Sequence, residues 1–265
     1  MGSPKAGLDW HGSTLLRRVA GIVARAVEGP VIVVRAPGQE LPALPAYVEV
    51  VEDARQGRGP LQGLEAGLRA VGDRAAVAYA SSTDVPLLHP AFVGRVVAEM
   101  DDGIDVALPE VGGYRQPLAA AYRVSLTGVV QELIAGDRLR PAFLFERCNV
   151  RTLGHEALLQ DARVARGDPQ LASVSNINEP ADYERARALP APAIVVERFG
   201  PLAKPGAPRR QTVSAWSLGA AATAVEVALD DHVVAALNGD QITRDPEQPL
   251  VAGDTVAFMA ADAGG

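Results

Sequence analysis

The chain ends in Gly264-Gly265, behind the strand-like run Thr255-Val256-Ala257-Phe258-Met259 and the short stretch 260–263. A double glycine carrying the free carboxylate has no side chain to obstruct it and no Cβ to restrict its backbone. Such a tail can thread a narrow tunnel, which suits a terminus that is itself the reacting group. Other chemistry-bearing residues are sparse. One cysteine, Cys148, excludes an internal disulfide, and four scattered histidines form no zinc-type cluster. Cys148 has no basic partner at a useful spacing and reads as a small buried side chain. His89, directly before Pro90, reads as structural. Two acids stand out by setting. Asp53 precedes the glycine-rich stretch Gly59-Pro60-Leu61-Gln62-Gly63, and Asp84 lies beyond an apolar strand, at the edge where open α/β sheets place ligands.

The surrounding pattern supplies elements to hold these residues. Residues 14–27 carry apolar side chains at helical spacing, and Val31-Ile32-Val33-Val34 is a buried strand. A second strand at 48–51 leads to a glycine-rich loop at 56–63 and a helix to about Val71. Strands follow at 75–80, 104–108 and 118–122, with a helix at 93–100 among them. Near-continuous apolar strands separated by helices imply a parallel sheet covered on both faces. A charged helix at 181–188 and the Leu189-Pro190-Ala191-Pro192-Ala193 linker end this part. Beyond lie strands at 193–199 and 212–216, an alanine-rich helix at 218–229, a strand at 233–237, the hairpin signal Asn238-Gly239, and the final strand. The division is therefore two domains, 1–190 and 193–265, the second a small α+β roll.

Composition narrows the class. Of 265 residues, 48% are hydrophobic, enough for a packed core, and the net charge is −7. An acidic chain with pI near 5.2 argues against nonspecific nucleic-acid or anionic-membrane binding, while leaving room for a nucleotide in a pocket. No stretch approaches the ~20 apolar residues of a membrane span, and Met1-Gly2-Ser3-Pro4-Lys5 lacks a signal peptide's apolar region. The expected setting is cytoplasmic.

Val234-Ala235-Ala236-Leu237-Asn238-Gly239-Asp240, then Pro249-Leu250-Val251-Ala252-Gly253-Asp254-Thr255-Val256, then Gly264-Gly265 resemble the ubiquitin-like β-grasp sulfur carriers, and within them the molybdopterin synthase small subunit. The resemblance implies that a partner activating enzyme adenylates the terminal carboxylate, which then becomes a thiocarboxylate. It also implies docking on the molybdopterin synthase large subunit. Gly253-Asp254 reads as a tight turn placing the last strand, and Phe199 reads as core.

Gly2-Ser3-Pro4-Lys5 resembles the end of a glycine-rich nucleotide loop. With 59–63, Thr83-Asp84-Val85-Pro86, Gln116-Pro117-Leu118 and Asn176-Ile177-Asn178-Glu179-Pro180-Ala181-Asp182, in that order, the first domain resembles the molybdenum cofactor guanylyltransferases. That implies a Rossmann-like, doubly wound α/β fold and Mg²⁺-dependent transfer of GMP from GTP to molybdopterin. Lys5 would offset triphosphate charge alongside Gly2 and Ser3 of the loop. Gly59, Pro60 and Gly63 would bring main chain close to the base or ribose, and Asp53 would accept hydrogen bonds from the base edge. Asp84 would hold Mg²⁺, with Asn178 or Asp182 completing the site. The competing readings are a helix N-cap for Asp84, helix caps for Asn178 and Asp182, and a solvated loop acid for Asp53. The chain departs from the family by lacking a first strand and the glycine pair ahead of Met1. The expectation is therefore that Met1 is an internal methionine, with roughly fifteen more residues upstream to supply a strand and its loop. The alternative functions are cytidylyl transfer from CTP, or a non-catalytic nucleotide-binding relic that serves only as a carrier.

Overall fold

The computed structural model describes residues 5–53, 59–203, 206 and 208–261. Gly2, Ser3, Gly264 and Gly265 lie outside these. The chain divides into two compact units. One comprises residues up to Leu8 together with Thr14–Asn178, and the other Asp9–Ser13 together with Glu179 onward. The boundary therefore falls ahead of the expected 190–193, and a short N-terminal segment belongs with the second unit.

That segment is a minimal hairpin of β1 (Asp9–Trp10) and β2 (Ser13–Thr14). His11 and Gly12 turn it with φ of 49° and 90°, the paired positive angles of a two-residue hairpin turn. Thr14 then caps α1 (Leu15–Ala24) by accepting from the Arg17 amide. Glycine and proline after α1 release the chain into β3 (Val31–Arg35), which pairs in parallel with β4 (Val48–Glu52). Gly59, at φ 84°, and Pro60 start α2 (Pro60–Val71). Proline's fixed φ and missing N–H suit the first helical position, so the helix begins earlier than the sequence pattern suggested. Gly63 lies inside it and not in a loop.

Next come β5 (Val77–Ser81), α3 (Pro90–Val97), β6 (Val106–Val111), β7 (Tyr114–Arg115) and β8 (Ala119–Arg123). The sheet is mixed and not all parallel, because β8 runs antiparallel to both β5 and β6. The reason is local. Gly112 and Gly113, both at positive φ, turn β6 straight into β7. No helical crossover intervenes before β8, and a parallel neighbour would need one. α4 (Thr127–Ala135) and α5 (Pro141–Phe145) lead to β9 (Val150–Leu153), which pairs in parallel with β6. α6 (His155–Leu159) and α7 (Ala162–Gly167) follow. Leu61, Leu68, Val106, Leu108, Tyr122, Val130 and Leu133 form the main core of this unit, each apolar side chain contributing about 1.5–3 kcal/mol by burial. Among the described residues, β3 and β5 each pair with a strand on one edge only. The Tyr79 hydroxyl in β5 is buried without a hydrogen-bond partner, and burial pushes the phenol far above its usual range.

The second unit continues with α8 (Pro180–Arg187), β10 (Ala193–Arg198), β11 (Arg210–Ser214), α9 (Leu218–Ala224), β12 (Val233–Leu237), β13 (Gln241–Thr243) and β14 (Thr255–Ala260). Its sheet order is β11-β10-β14-β12-β13, with the final strand parallel to β10 between two antiparallel hairpins. Asn238 and Gly239, at φ 55° and 90°, make the β12–β13 turn. α9 ends five residues before the expected Leu229, because Glu226 takes φ 56° and the Val227 amide closes back on Ala222 O at 2.9 Å. Ile194, Val196, Leu218, Ala221, Leu237, Leu250 and Phe258 fill the space between helix and sheet. Phe199, in contrast to its expected core position, is 46% exposed, since the strand ends at Arg198 and a 3-10 turn follows.

Candidate functional site

The C-terminal end of β5 carries Ser82, Thr83 and Asp84. Lys5 opens a single 3-10 turn, Lys5–Gly7, and its Nζ lies 2.8 Å from Asp84 Oδ2. The two sequence-predicted residues of opposite charge, 79 positions apart, therefore meet. Ser82 Oγ donates to the other carboxylate oxygen. The Asp84 backbone is fixed as well, since the Ile177 amide donates to Asp84 O at 2.8 Å. Asp84 is not a helix N-cap: α3 starts at Pro90, where His89 Nδ1 accepts from the Ala91 amide. His89 is structural, as its position before proline indicated. With the Asp84 side chain 15% exposed and that of Lys5 35% exposed, the pair is reachable from solvent yet partly desolvated, which strengthens charge interactions relative to water.

Two supporting groups were not singled out from sequence. Ser82 was passed over because an isolated serine carries no spacing signal. Arg18 had one: it lies three residues after Leu15 and four before Ile22, on the apolar face of α1. It is 3% exposed, and its Nε donates to Pro86 O at 2.6 Å, bracing the turn just past Asp84.

The remaining predicted residues divide. Asp53 follows β4, its amide donating to Arg35 O at 2.8 Å. Gly59 and Pro60 stand at the first turn of α2, and Gly63 on that helix has open space where a Cβ would project. Asn178 is exposed and directly follows Ile177. Asp182 Oδ2 accepts from the Glu179 amide at 2.9 Å, and Oδ1 pairs with Arg185 at 2.5 Å. Together with the Glu179 side chain this forms a capping box at the start of α8, so both its oxygens serve the helix. Among the described residues, no group of three or more His, Cys, Asp or Glu side chains could together hold a metal. A single carboxylate can be enough protein for Mg²⁺, which takes one or two carboxylates and completes its shell with phosphate and water oxygens. An open depression of about 750 Å³ lined by Leu68, Arg69, Arg123 and Thr127 lies at the opposite end of β5. Arg123 there is bonded to Ile104 O.

Cys148 is set apart from this chemistry. Its Sγ lies 3.2 Å from Leu144 O, and burial pushes the thiol up from 9.0 to about 11. At pH 8 the thiolate fraction is then about a hundredfold lower than for an ordinary cysteine. Iodoacetamide should alkylate Cys148 in the native protein at least about tenfold more slowly than in urea-unfolded protein, as followed by intact mass. Equal rates would contradict the buried-thiol assignment.

Comparison with known proteins places the chain in a family. The family described as MobA-like NTP transferase domain matches residues 1–150. A probable molybdenum cofactor guanylyltransferase of Pelotomaculum thermopropionicum is 30% identical over 191 residues, covering 71% of this chain and 86% of the relative. The molybdenum cofactor guanylyltransferase of Desulfosudis oleivorans is 29% identical over 187 residues, covering 71% and 87%. In fold, the chain resembles the molybdopterin-guanine dinucleotide biosynthesis protein A of Archaeoglobus fulgidus, with a TM-score of 0.54 at 22% identity over 70% of this chain and 90% of that one. Among the described residues, no helix is long and apolar enough to cross a membrane. With a lysine and an aspartate meeting at a strand end and a family match across more than half its length, the chain belongs to the MobA-like NTP transferases and is a nucleotidyltransferase.

Proposed function

We propose that the first unit transfers GMP from GTP to molybdopterin in molybdenum cofactor biosynthesis. The observation that carries this reading is the contact between Lys5 and Asp84 at the strand end, in a chain whose relatives are described as molybdenum cofactor guanylyltransferases. In the free protein these side chains neutralise each other. Triphosphate binding replaces that pairing: the Lys5 ammonium turns to the phosphates, and the Asp84 carboxylate becomes free to face a divalent cation. Asp84 would hold Mg²⁺, with Asn178, next to Ile177 in sequence, as a second ligand, and the cation would supply neutralising charge at the phosphates. Asp182 is left to its helix cap.

The reaction is an in-line displacement. An oxygen of the molybdopterin phosphate attacks the α-phosphorus of GTP, and the new O–P bond forms as the bond to the bridging oxygen breaks. That oxygen leaves with pyrophosphate, and no covalent protein intermediate is needed. Lys5 stabilises charge on the triphosphate oxygens throughout. Gly59 and Pro60 bring main chain near the base or ribose, and Asp53 and Gly63 line the same approach.

The second unit, on this reading, is a β-grasp sulfur carrier. Its support is the hairpin β10–β11, the single packed helix α9, and a final strand inserted parallel to β10. Gly265 would bear the thiocarboxylate, with Gly264 leaving the tail unobstructed behind it, and the partners would be an adenylating enzyme and the molybdopterin synthase large subunit.

Incubating the protein with molybdopterin, Mg²⁺ and each radiolabelled triphosphate tests the first unit. Label incorporated from GTP is expected. Label from CTP would assign cytidylyl transfer, and label from neither would reduce the unit to a nucleotide-binding relic. For the carrier, deletion of Gly265 should abolish adenylation by an activating enzyme. Normal adenylate formation after deletion would make the tail incidental.

A further inference from the structure

The first unit holds a second buried acid, one that the reaction above does not use. Asp168, just past α7, is 4% exposed. Its Oδ1 accepts from the Ala172 amide at 2.6 Å and its Oδ2 from the Ser173 amide at 3.1 Å. Burial pushes its carboxyl above the usual range, although the backbone and side chain of Ser173 both hydrogen-bond to it. A carboxylate kept in such a place costs desolvation, which only a fixed set of donors offsets. Capping of the 3-10 turn Ala172–Val174 accounts for the two amide bonds. The rest of the network leads away from that turn.

It leads to the loop that carries Asp84. Ser173 is fully buried, and its Oγ accepts from the His89 amide at 3.0 Å. Gly167, directly before Asp168, leaves the room that the His89 ring fills, since a Cβ there would sit 2.5 Å from Nε2. Beyond the turn, the Ile177 amide donates to Asp84 O at 2.8 Å. Residues 167–177 therefore grip residues 84–89 at both ends. Between the two grips Leu171 holds φ 51° with its side chain 1% exposed, a backbone angle that leucine keeps only where its surroundings enforce it. All of these residues belong to the first compact unit.

We infer that Asp168 and Ser173 are positioning residues for nucleotidyl transfer. They fix where the 171–177 segment meets the end of β5, and so where Asp84 presents its carboxylate and where the chain delivers Asn178. They touch neither substrate nor reacting atoms. This rests on the proposed role of Asp84 at the phosphates, and the controls separate the two ideas.

The experiment compares the full chain with Asp168→Asn, Ser173→Ala and Asp84→Ala. Asparagine keeps the shape of Asp168 but accepts at one oxygen only, and alanine removes the Ser173 hydroxyl without adding bulk. Amide hydrogen exchange is followed on the metal-free protein. Nucleotidyl transfer from GTP (CTP in parallel) is followed against Mg²⁺ at saturating triphosphate, and against triphosphate at saturating Mg²⁺. In Asp168→Asn and Ser173→Ala the His89 and Ile177 amides should exchange at least about tenfold faster, while β6 and β8 keep their protection. The Mg²⁺ concentration for half-maximal rate should rise about tenfold and kcat should fall about tenfold, as a misplaced group loses orientation. KM for the triphosphate should change less than about threefold, because the Lys5 backbone lies outside the network and its ammonium still meets the phosphates. Faster exchange with unchanged Mg²⁺ dependence would make the network a support of the fold alone and overturn the inference. Loss of protection spreading through β6 and β8 would overturn it too. If Asp84→Ala abolishes transfer while both network variants behave as the parent does, the inference is overturned and the Asp84 reading stands. If Asp84→Ala transfers at the parent rate, the Asp84 reading falls and the positioning role falls with it.

Discussion

Asp84→Ala should lower kcat/KM for nucleotidyl transfer by about 10²–10³-fold, the usual loss when stabilisation of developing negative charge is removed, here that of the cation the carboxylate would hold. Once Lys5 has turned to the phosphates, Ser82 Oγ still holds the carboxylate and the Ile177 amide still holds the Asp84 backbone carbonyl, so removing the side chain takes away a positioned charge. Lys5→Ala should cost a similar factor, with more of it in KM, since a point charge on phosphate acts on bound substrate and transition state together. The double variant should be little worse than Asp84→Ala alone, because residues that act as one unit are non-additive. Pyrophosphate release under saturating Mg²⁺ measures all three. An Asp84→Ala rate within twofold of the parent removes Asp84 from the reaction.

The second large effect concerns stability. Asp254 is 3% exposed. Its Oδ2 accepts from the Val251 amide at 2.8 Å and its Oδ1 from Asn238 Nδ2 at 2.9 Å. Asn238 Oδ1 in turn accepts from the Thr255 amide at 2.9 Å. One buried carboxylate thereby ties the β12–β13 turn to the start of the last strand. Asp254→Ala leaves a buried N–H unsatisfied and removes two charge-assisted hydrogen bonds, which should destabilise the second unit by about 3 kcal/mol. Asp254→Asn, which can still accept at one oxygen, should lose about half of that. The chain has two tryptophans, Trp10 and Trp216, and both belong to the second unit, so indole fluorescence follows that unit alone. The urea midpoint should fall by roughly 1–2 M for the alanine variant. A shift below about 0.2 M would show that the carboxylate is not holding the turn.

Signals written in neighbouring residues could be read from the sequence. Asn238-Gly239 needs only local backbone angles, and its turn forms at the expected place. The Gly253-Asp254 turn was legible for the same reason, as were the apolar runs that became β3, β10, β12 and β14. Lys5 was named from the resemblance of Gly2-Ser3-Pro4-Lys5 to a nucleotide loop and Asp84 from its place past a strand, while their meeting at 2.8 Å had no local signal. What stayed hidden depends on distant partners. The antiparallel direction of β8 follows from the tight Gly112-Gly113 turn, while its apolar composition looked the same as that of a parallel strand. Asp182 offered equal sequence support for a metal ligand and for a cap, and only the Glu179 amide and Arg185 distinguish them. The membership of Asp9–Ser13 in the second unit had no local signature, because the aromatic side chain that receives Trp10 lies some two hundred residues downstream.

That separation has a consequence for synthesis. At about 5–20 residues per second, the ribosome takes roughly 10–40 s to pass from Trp10 to Trp216, and during that interval the indole that ends 1% exposed lacks the Trp216 ring it meets in the folded chain. The N-terminal half can collapse on its own core as it emerges, yet its opening residues must wait for the final seventy or so to be translated. Nascent chains arrested before Trp216 should therefore keep Trp10 accessible to acrylamide quenching, and release of the full chain should bury it.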